Sequence, residues 1–504
     1  MSKTLRWSIV AVAIFALGII GYFILFPAKK EQVMAVGEPA NFSDPSIAVI
    51  PFVNISKDSN QEYFSDGLTD EIRNSLGRLT GLKVSARISS AIFKGKSTDP
   101  KEIGKSLGVH TVLQGTVQRD SNQIRISVRL SNAENSQLIW SEQYDESPDD
   151  IFSIQNKITQ SIADKLEVTL MANNQQAVSK HFKTSNEAHD LYLQGRSFWN
   201  KRRPPDLKHA IELFHQAIAH DSTYAAAYAG IADCYNALGY GSWLAPKDAF
   251  QKALDAATRA LELDPTLAEA HASLGYNKFY FGWDWAEAEQ EFRQAIALDQ
   301  NNELGYEWYG YYLTCMQRYS EAKIILTRAA DLDPLSTPIS TDMGFSSYYS
   351  GSYDSAVEEL ERVVKAHPDF QLANLWLGRT YQAKKSYPEA IAAYRNALRG
   401  SKDWGVGLAQ IGNVLGVSGN KTAAKKILDS MIALSSRAFV TSYGMALVYT
   451  GLDQNDMALS WLQKAYDEHS HWLVWLKLDP RWVNIRNDKR YIELLNKMAF
   501  PQNY

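Results

Sequence analysis

Residues 337–370 read TPISTDMGFSSYYSGSYDSAVEELERVVKAHPDF, and this stretch returns in altered form along most of the chain. Its Ala356 belongs to a series spaced 34 residues apart, with Ala288, Ala322, Ala390, Ala424 and Ala458. Gly344 has counterparts at Gly275, Gly310, Gly378 and Gly412, and Ala446 closes that series. Four residues after each alanine stands a large apolar side chain: Phe292, Leu326, Leu360, Tyr394, Leu428 and Leu462. His367-Pro368 lies near the end of the stretch, as Asp264-Pro265 and Asp333-Pro334 do in others. A period of this length means stacked supersecondary units, each burying its apolar face on its neighbours. The small residues let two helices of a hairpin approach, and the large ones fill the space between hairpins. The predicted class is an all-α solenoid.

The series extends upstream when two insertions are allowed. Ala253 precedes Ala288 by 35 residues and Ala210 precedes Ala253 by 43. The extra residues are read into turns, around Gly282–Trp285 and Gly239–Pro246. This gives a solenoid of about eight repeats over 185–470, and 471–504 is left to fold as capping helices. Terminal units must cover the last apolar face, and Trp472, Trp475, Trp482 and Tyr491 supply the bulk. The period and its Gly/Ala positions resemble tetratricopeptide repeats, a resemblance that implies a protein-binding surface rather than an active site.

The chain has 504 residues, 45% hydrophobic and 21% charged, with a net charge of −4. That balance argues against nucleic acid, whose binders carry a basic stripe. Cys234 and Cys315 fall in repeats that are not neighbours, so they are read as buried small hydrophobes without a disulfide. Residues 7–26 run without a charge, and twelve of them are Ile, Leu, Phe or Val. This is long enough to span the roughly 30 Å hydrocarbon core. The expectation is a six-residue head (1–6), a transmembrane helix (7–26) and a linker (27–45). A leader cleaved near Val33-Met34-Ala35 is the alternative. The short head carries Lys3 and Arg6, which gives a slight preference for export of the remainder.

Segment 46–172 reads as a separate small α/β domain. Ser46–Phe52 is an apolar strand, and Leu68, Ile72, Leu76 and Leu79 mark one face of a helix. Thr111–Gln118 and Ile124–Leu130 alternate around an Arg119–Asn122 turn, Gln137–Tyr144 is a further strand, and Ile151–Leu170 is an amphipathic helix. The expected order is β-α-β-α-β-β-β-α, a mixed sheet with helices on one side. Ile47-Ala48-Val49-Ile50-Pro51-Phe52 and Glu62-Tyr63-Phe64-Ser65-Asp66-Gly67-Leu68-Thr69-Asp70-Glu71-Ile72 resemble the TolB-N-terminal-like domain of bacterial membrane sensors. Gly108–Val117, Leu138–Tyr144 and Leu478-Asp479-Pro480-Arg481-Trp482 extend the likeness over roughly 46–504. The resemblance implies an inner-membrane, single-pass architecture with the bulk of the chain in the periplasm. Members of that architecture often carry a CadC-like DNA-binding, adenylate cyclase or kinase module before the membrane. Only Met1–Arg6 stands there in this sequence, so neither DNA binding nor cyclase activity is carried over.

Catalytic patterns are weak. Gly419-Asn420-Lys421-Thr422 has Asn where a phosphate-binding loop needs Gly before Lys, and it falls in an inter-helix turn. His469 with His471, and His215 with His220, lack zinc spacing and further ligands. Asp66, Asp70 and Glu71 suit the positive end of a helix. No catalytic, cofactor-binding or metal-binding residues are assigned, and no small-molecule substrate is identified. The repeat geometry implied by the resemblance places certain first-helix positions on the concave face. These are Tyr276, Phe279, Glu307, Tyr311, Phe345, Tyr348, Arg379, Gln382, Asn413 and Tyr443. Aromatics offer contact area and Arg can pair a carboxylate, so the expected partner is an extended peptide segment of another protein. The expected function is a non-enzymatic scaffold, assembly factor or sensor subunit. The alternatives are an accessory subunit of a membrane adenylate cyclase or transcriptional regulator, and an enzyme with its site in the α/β domain.

Overall fold

The computed structural model describes residues 45–120, 123–147, 151–166 and 184–501. The head, the apolar run Trp7–Phe26 and all but the last residue of the linker lie outside the described residues. Among the described residues no helix is long and apolar enough to cross a membrane.

β1 (Ser46–Val49) sits between β3 (Lys83–Val84) and β4 (Thr111–Arg119), parallel to both. The short β2 (Val53–Asn54) continues along β4, which pairs antiparallel with β5 (Ile124–Asn132), and β5 with β6 (Leu138–Glu146). α1 (Glu62–Gly77) and, late in the domain, α4 (Ile151–Lys165) cover one face. There Leu68, Ile72, Leu76, Ile154 and Ile158 pack on Ile47, Val49, Leu113 and Ile126. The opposite face carries Ala48, Ile50 and Val112. They pack against Phe93, just after the short α2 (Arg87–Ala91), and against Ile103 and Leu107 of α3 (Pro100–Leu107). Helices on one side alone would leave this face bare. β1 is apolar at consecutive positions, so it needs cover on both sides. α3 shows local rules at both ends: the Asp99 side chain accepts from Lys101 N, Pro100 occupies the first turn, and Gly108 closes it at φ +64°.

Helices α5 (Asn186–Trp199) to α20 (Asn455–Asp467) pair in sequence into hairpins. The pairs are α5 with α6 (Pro204–His220), α7 (Ala225–Tyr240) with α8 (Pro246–Leu263), and α9 (Ala268–Asn277) with α10 (Trp285–Leu298). Next come α11 (Glu303–Cys315) with α12 (Tyr319–Leu332), and α13 (Thr337–Tyr349) with α14 (Tyr353–Ala366). α15 (Gln371–Ala383) pairs with α16 (Tyr387–Ala397), α17 (Gly405–Val417) with α18 (Lys421–Leu434), and α19 (Ser442–Gly451) with α20.

The periodic glycines mark where a hairpin's helices touch. A Cβ on Gly310 would stand 2.5 Å from Leu326, on Gly344 2.5 Å from Leu360, and on Gly378 2.5 Å from Tyr394. At Gly412 the neighbour changes, and Val448 of the next hairpin and Ile427 take the space. The marker alanines are equally tight, with Ala356 fully buried. Ala356→Leu is expected to over-pack its hairpin and cost about 1–3 kcal/mol in denaturant titration; a neutral result would contradict this packing.

Each inter-helix turn from the third hairpin onward holds one left-handed residue: Trp283, Gln317, Gly351, Lys385, Gly419 and Asp453, 34 apart. Gly419 thus serves a turn, and Asn420 beside it caps α18 by accepting from Ala423 N at 3.1 Å. The 35-residue spacing is absorbed inside α9's last turn, which widens to a π-turn over Lys278–Gly282 rather than lengthening the loop.

The sheet domain docks on the inter-repeat turns. Asn301 accepts from Val84 N at 2.8 Å and donates to Gly77 and Leu82 carbonyls at 2.9 Å. Asp333 accepts from Ser89 N at 2.8 Å, and Ala86 N donates to Leu332 O at 2.8 Å. Asp299 lies under Gly77 in the same contact. Burial pushes Asp299 up to about 7, the nearby Glu269 adding to it, and burial pushes Asp333 up to about 6. A raised carboxyl means the folded state binds a proton that the unfolded state lacks between pH 3.8 and about 7. Its contribution is therefore present at low pH and lost as pH rises through the folded value. Asp299→Asn should gain stability relative to the parent as pH goes from 5 to 8, by roughly 3 kcal/mol. Paired denaturation curves at both pH values check it; a constant difference would contradict the buried carboxyl.

Candidate functional site

Every one of the ten concave-face residues is more than nine-tenths buried. What buries several of them is the chain's own C-terminal segment. After α20 and a left-handed His469 the chain forms short 3-10 turns at His471–Trp475 and Pro480–Trp482, then α21 (Lys489–Lys497). Among the described residues of the region expected to fold as capping helices, only α21 is α-helical; the 3-10 turns run across the inner face instead.

Trp475 is the centre of this contact. Its ring stacks on Tyr349 at 4.6 Å and meets Phe345 edge-on at 4.9 Å and Phe279 at 6.0 Å. Phe345 also meets Tyr311 at 5.4 Å and Trp376 at 4.6 Å, while Tyr348 stands 4.9 Å from Tyr349. The Cys315 thiol donates to Val474 O at 3.1 Å, and Tyr491 OH donates to Leu476 O at 2.7 Å. The Arg379 guanidinium lies between two indoles, 4.3 Å from the Trp376 ring and 4.9 Å from that of Trp472. Its Nε donates to Gln410 at 3.3 Å.

Farther along, Tyr443 OH donates to Asp479 at 2.9 Å and accepts from Trp482 Nε1 at 2.8 Å. Asp479 also accepts from Arg481 Nε at 2.8 Å. Burial opposes the Asp479 charge, but Arg481 more than offsets that and holds the carboxyl below its ordinary range. Burial pushes His471, among Tyr240, Phe250 and Tyr280, down to about 3, so it stands neutral.

The remaining residues of the set have other work. Gln382 donates to Asn413 Oδ1 at 2.6 Å and Asn413 to Leu447 O at 2.6 Å, a seam between successive hairpins. Tyr276 packs on Trp308 at 4.6 Å, and Tyr311 OH donates to Glu307 at 3.0 Å. Burial pushes Glu307 up to about 6 and drives the neighbouring Asp342 well above the carboxylate range. The acids of α1 are likewise engaged: Asp66 by Lys94, Asp70 by Arg87 and Glu71 by His189 and Gln155. Among the described residues no group of three or more His, Cys, Asp or Glu is placed to hold a metal ion.

Sequence reasoning passed over Trp472, Trp475, Asp479, Arg481 and Trp482 as parts of this site. The signal was their concentration: three tryptophans within 472–482 exceed what one exposed helix face has to cover. Burying each indole removes about 150–250 Å² from water, worth on the order of 4–6 kcal/mol as an upper estimate. Together they rival the whole stability of an ordinary domain. The segment is therefore part of the core.

Residues 342–403 match the tetratricopeptide repeat family, and residues 43–162 match the second domain of HilA/YgeH-like transcriptional regulators. The latter description differs from the one the sequence resemblance suggested for the small domain. A putative adenylate cyclase 3 of Rhizobium meliloti is 32% identical over 247 residues, 49% of this chain and 42% of that protein. Human tetratricopeptide repeat protein 6 is 25% identical over 38% of this chain and 36% of its own length. The chain thus spans less than half the length of these curated relatives. Among solved structures, a tetratricopeptide repeat protein from Parabacteroides merdae covers 53% of this chain and 100% of its own. It is 13% identical, with a TM-score of 0.39. Pseudomonas aeruginosa pilF covers 42% of this chain and 95% of its own at 22% identity and a TM-score of 0.31.

Proposed function

We propose that this chain is a non-catalytic protein-interaction scaffold, anchored in the bacterial inner membrane by residues 7–26, with its sheet domain and solenoid in the periplasm. The aromatic concave face is a receptor for an extended segment, and the chain supplies that segment in cis as residues 471–482. The observation that carries this is Trp475, stacked on Tyr349 and edge-on to Phe345 at the centre of the face. Partner proteins then engage surface outside the filled groove, and the scaffold presents that surface in a fixed shape. A fluorescent peptide of residues 469–486, titrated onto the intact chain, should show no saturable binding at micromolar concentration. Tight binding would mean that the groove is open to peptides in trans. Orientation is tested separately with a tag after Tyr504 in protease-treated spheroplasts. Loss of the tag with cytoplasmic controls intact supports export, and protection until lysis contradicts it.

A second reading is an accessory subunit of a membrane adenylate cyclase or transcriptional regulator of the same architecture. The similarity to the putative adenylate cyclase 3 of Rhizobium meliloti and to the HilA/YgeH-like regulator domain over 43–162 favours it. Co-purification with such an enzyme or regulator, and loss of its response on deleting this chain, would support that reading over an independent scaffold.

A further inference from the structure

Where the sheet domain meets the first three hairpins, the structure holds a cleft of about 480 Å³. α1 faces it with Glu71 and, just past its end, Arg78, α5 with Tyr192 and Arg196, and the starts of α7 and α9 close it. Some of these groups are spent. The two oxygens of Glu71 are held by His189 Nε2, at 2.7 Å, and by Gln155 Nε2. Asp233 is held by Arg196 Nη1 at 3.1 Å and by Ser273 Oγ.

What remains is a set of polar groups without partners. The Arg78 guanidinium makes no close hydrogen bond or ion pair among the described residues and acts only at longer range on Asp299, although Asp233, Glu71 and Glu269 all line the same cleft. Glu269 Oε2 is buried with no hydrogen-bond partner. Tyr192 and Tyr224 line the cleft as well. α7 and α9 both begin there, at Tyr224 and Leu267, with no capping side chain. The third N–H of each first turn, at Ala227 and Ala270, donates back to the Tyr224 and Leu267 carbonyls, and the first two have no capping side chain. A cation and a carboxylate that share one cleft, yet do not pair, are complementary to a ligand carrying both charges. A simple anion would face four carboxyl groups, Glu71, Asp233, Asp264 and Glu269, and a simple cation two guanidinium groups.

We propose that this cleft binds a zwitterion of the amino-acid or short-peptide class. Its carboxylate lies on Arg78 and the uncapped helix start, and its ammonium lies on Glu269. The volume suits a di- or tripeptide, since small-molecule sites begin near 300 Å³. Because Arg78 belongs to the sheet domain and Glu269 to the solenoid, the bound zwitterion ties the two together. This site is independent of the groove that residues 471–482 fill.

The test is calorimetric titration of the full chain with an equimolar pool of dipeptides and tripeptides, beside the same pool N-acetylated or C-amidated. The free pool should bind saturably, and either block should weaken binding by roughly tenfold or more. Glu269→Gln should abolish the difference between free and acetylated peptides, and Arg78→Met that between free acids and amides. Neither side chain makes a close hydrogen bond or ion pair among the described residues, only longer-range attractions to Asp299 and Arg196, so melting temperatures close to the parent's are expected and are measured alongside. Absence of saturable binding by the free pool overturns the proposal and leaves ordered water as the cleft's content. Equal binding of blocked and free peptides, or discrimination unchanged in both variants, overturns it as well.

Discussion

Trp475→Ala is expected to destabilise the folded chain by about 3–5 kcal/mol, because it empties the centre of the inner face. Trp475 is 1% exposed, and three rings from two hairpins converge on it: Phe279 from the third, and Phe345 and Tyr349 from the fifth. None of them can collapse into the gap without leaving its own hairpin. The loss therefore includes a cavity as well as lost transfer free energy. Val483→Ala, only eight residues on but 66% exposed, should be close to neutral. Denaturant titration of both variants reads the contrast. Similar small effects at the two positions would mean that the segment is not packed where Trp475 sits.

Asp479→Ala is expected to cost a comparable amount, about 3–5 kcal/mol, for a different reason. Asp479 is fully buried, and its oxygens accept from Arg481 and Tyr443. Removing them leaves a buried guanidinium without its counter-charge and a buried hydroxyl without its acceptor. Asp479→Asn keeps one acceptor and should recover part of the loss. The pH dependence has a definite sign. A carboxyl held below its ordinary 3.8 contributes stability above that value and loses it as pH falls through its folded value. The difference between parent and Asp479→Ala should therefore persist from neutral pH down to about pH 4 and shrink only in stronger acid. A difference that disappears near pH 6 would contradict the ion pair.

The periodic part of this molecule was legible because its contacts are local. Gly310 with Leu326, and Gly344 with Leu360, are partners within one hairpin, so a fixed spacing in sequence encodes a fixed contact. The turn positions share that property, since Gln317 and Lys385 are left-handed where Gly351 and Gly419 are. Contacts that break the period were out of reach. Spacing sets Phe279, Phe345 and Tyr443 on first helices, but it carries nothing about what covers them. The return of Trp475 to Phe279 spans five hairpins and obeys no repeat rule. The docking of Asn301 on Leu82 likewise joins positions more than two hundred residues apart. In the small domain, the adjacent apolar residues Ala48 and Val49 already called for cover on both faces of β1. Reading them as a single apolar strand hid that.

Native-state hydrogen exchange over residues 471–485 tests most directly whether the inner face is filled in cis. The amides of Leu473, Leu476, Asp479 and Ile485 donate to backbone carbonyls inside the buried segment. They should exchange only as slowly as the central turns of α13, with which Trp475 is packed. Exchange of these amides at the rate of an unstructured peptide, while α13 stays protected, would show an empty groove and contradict the account.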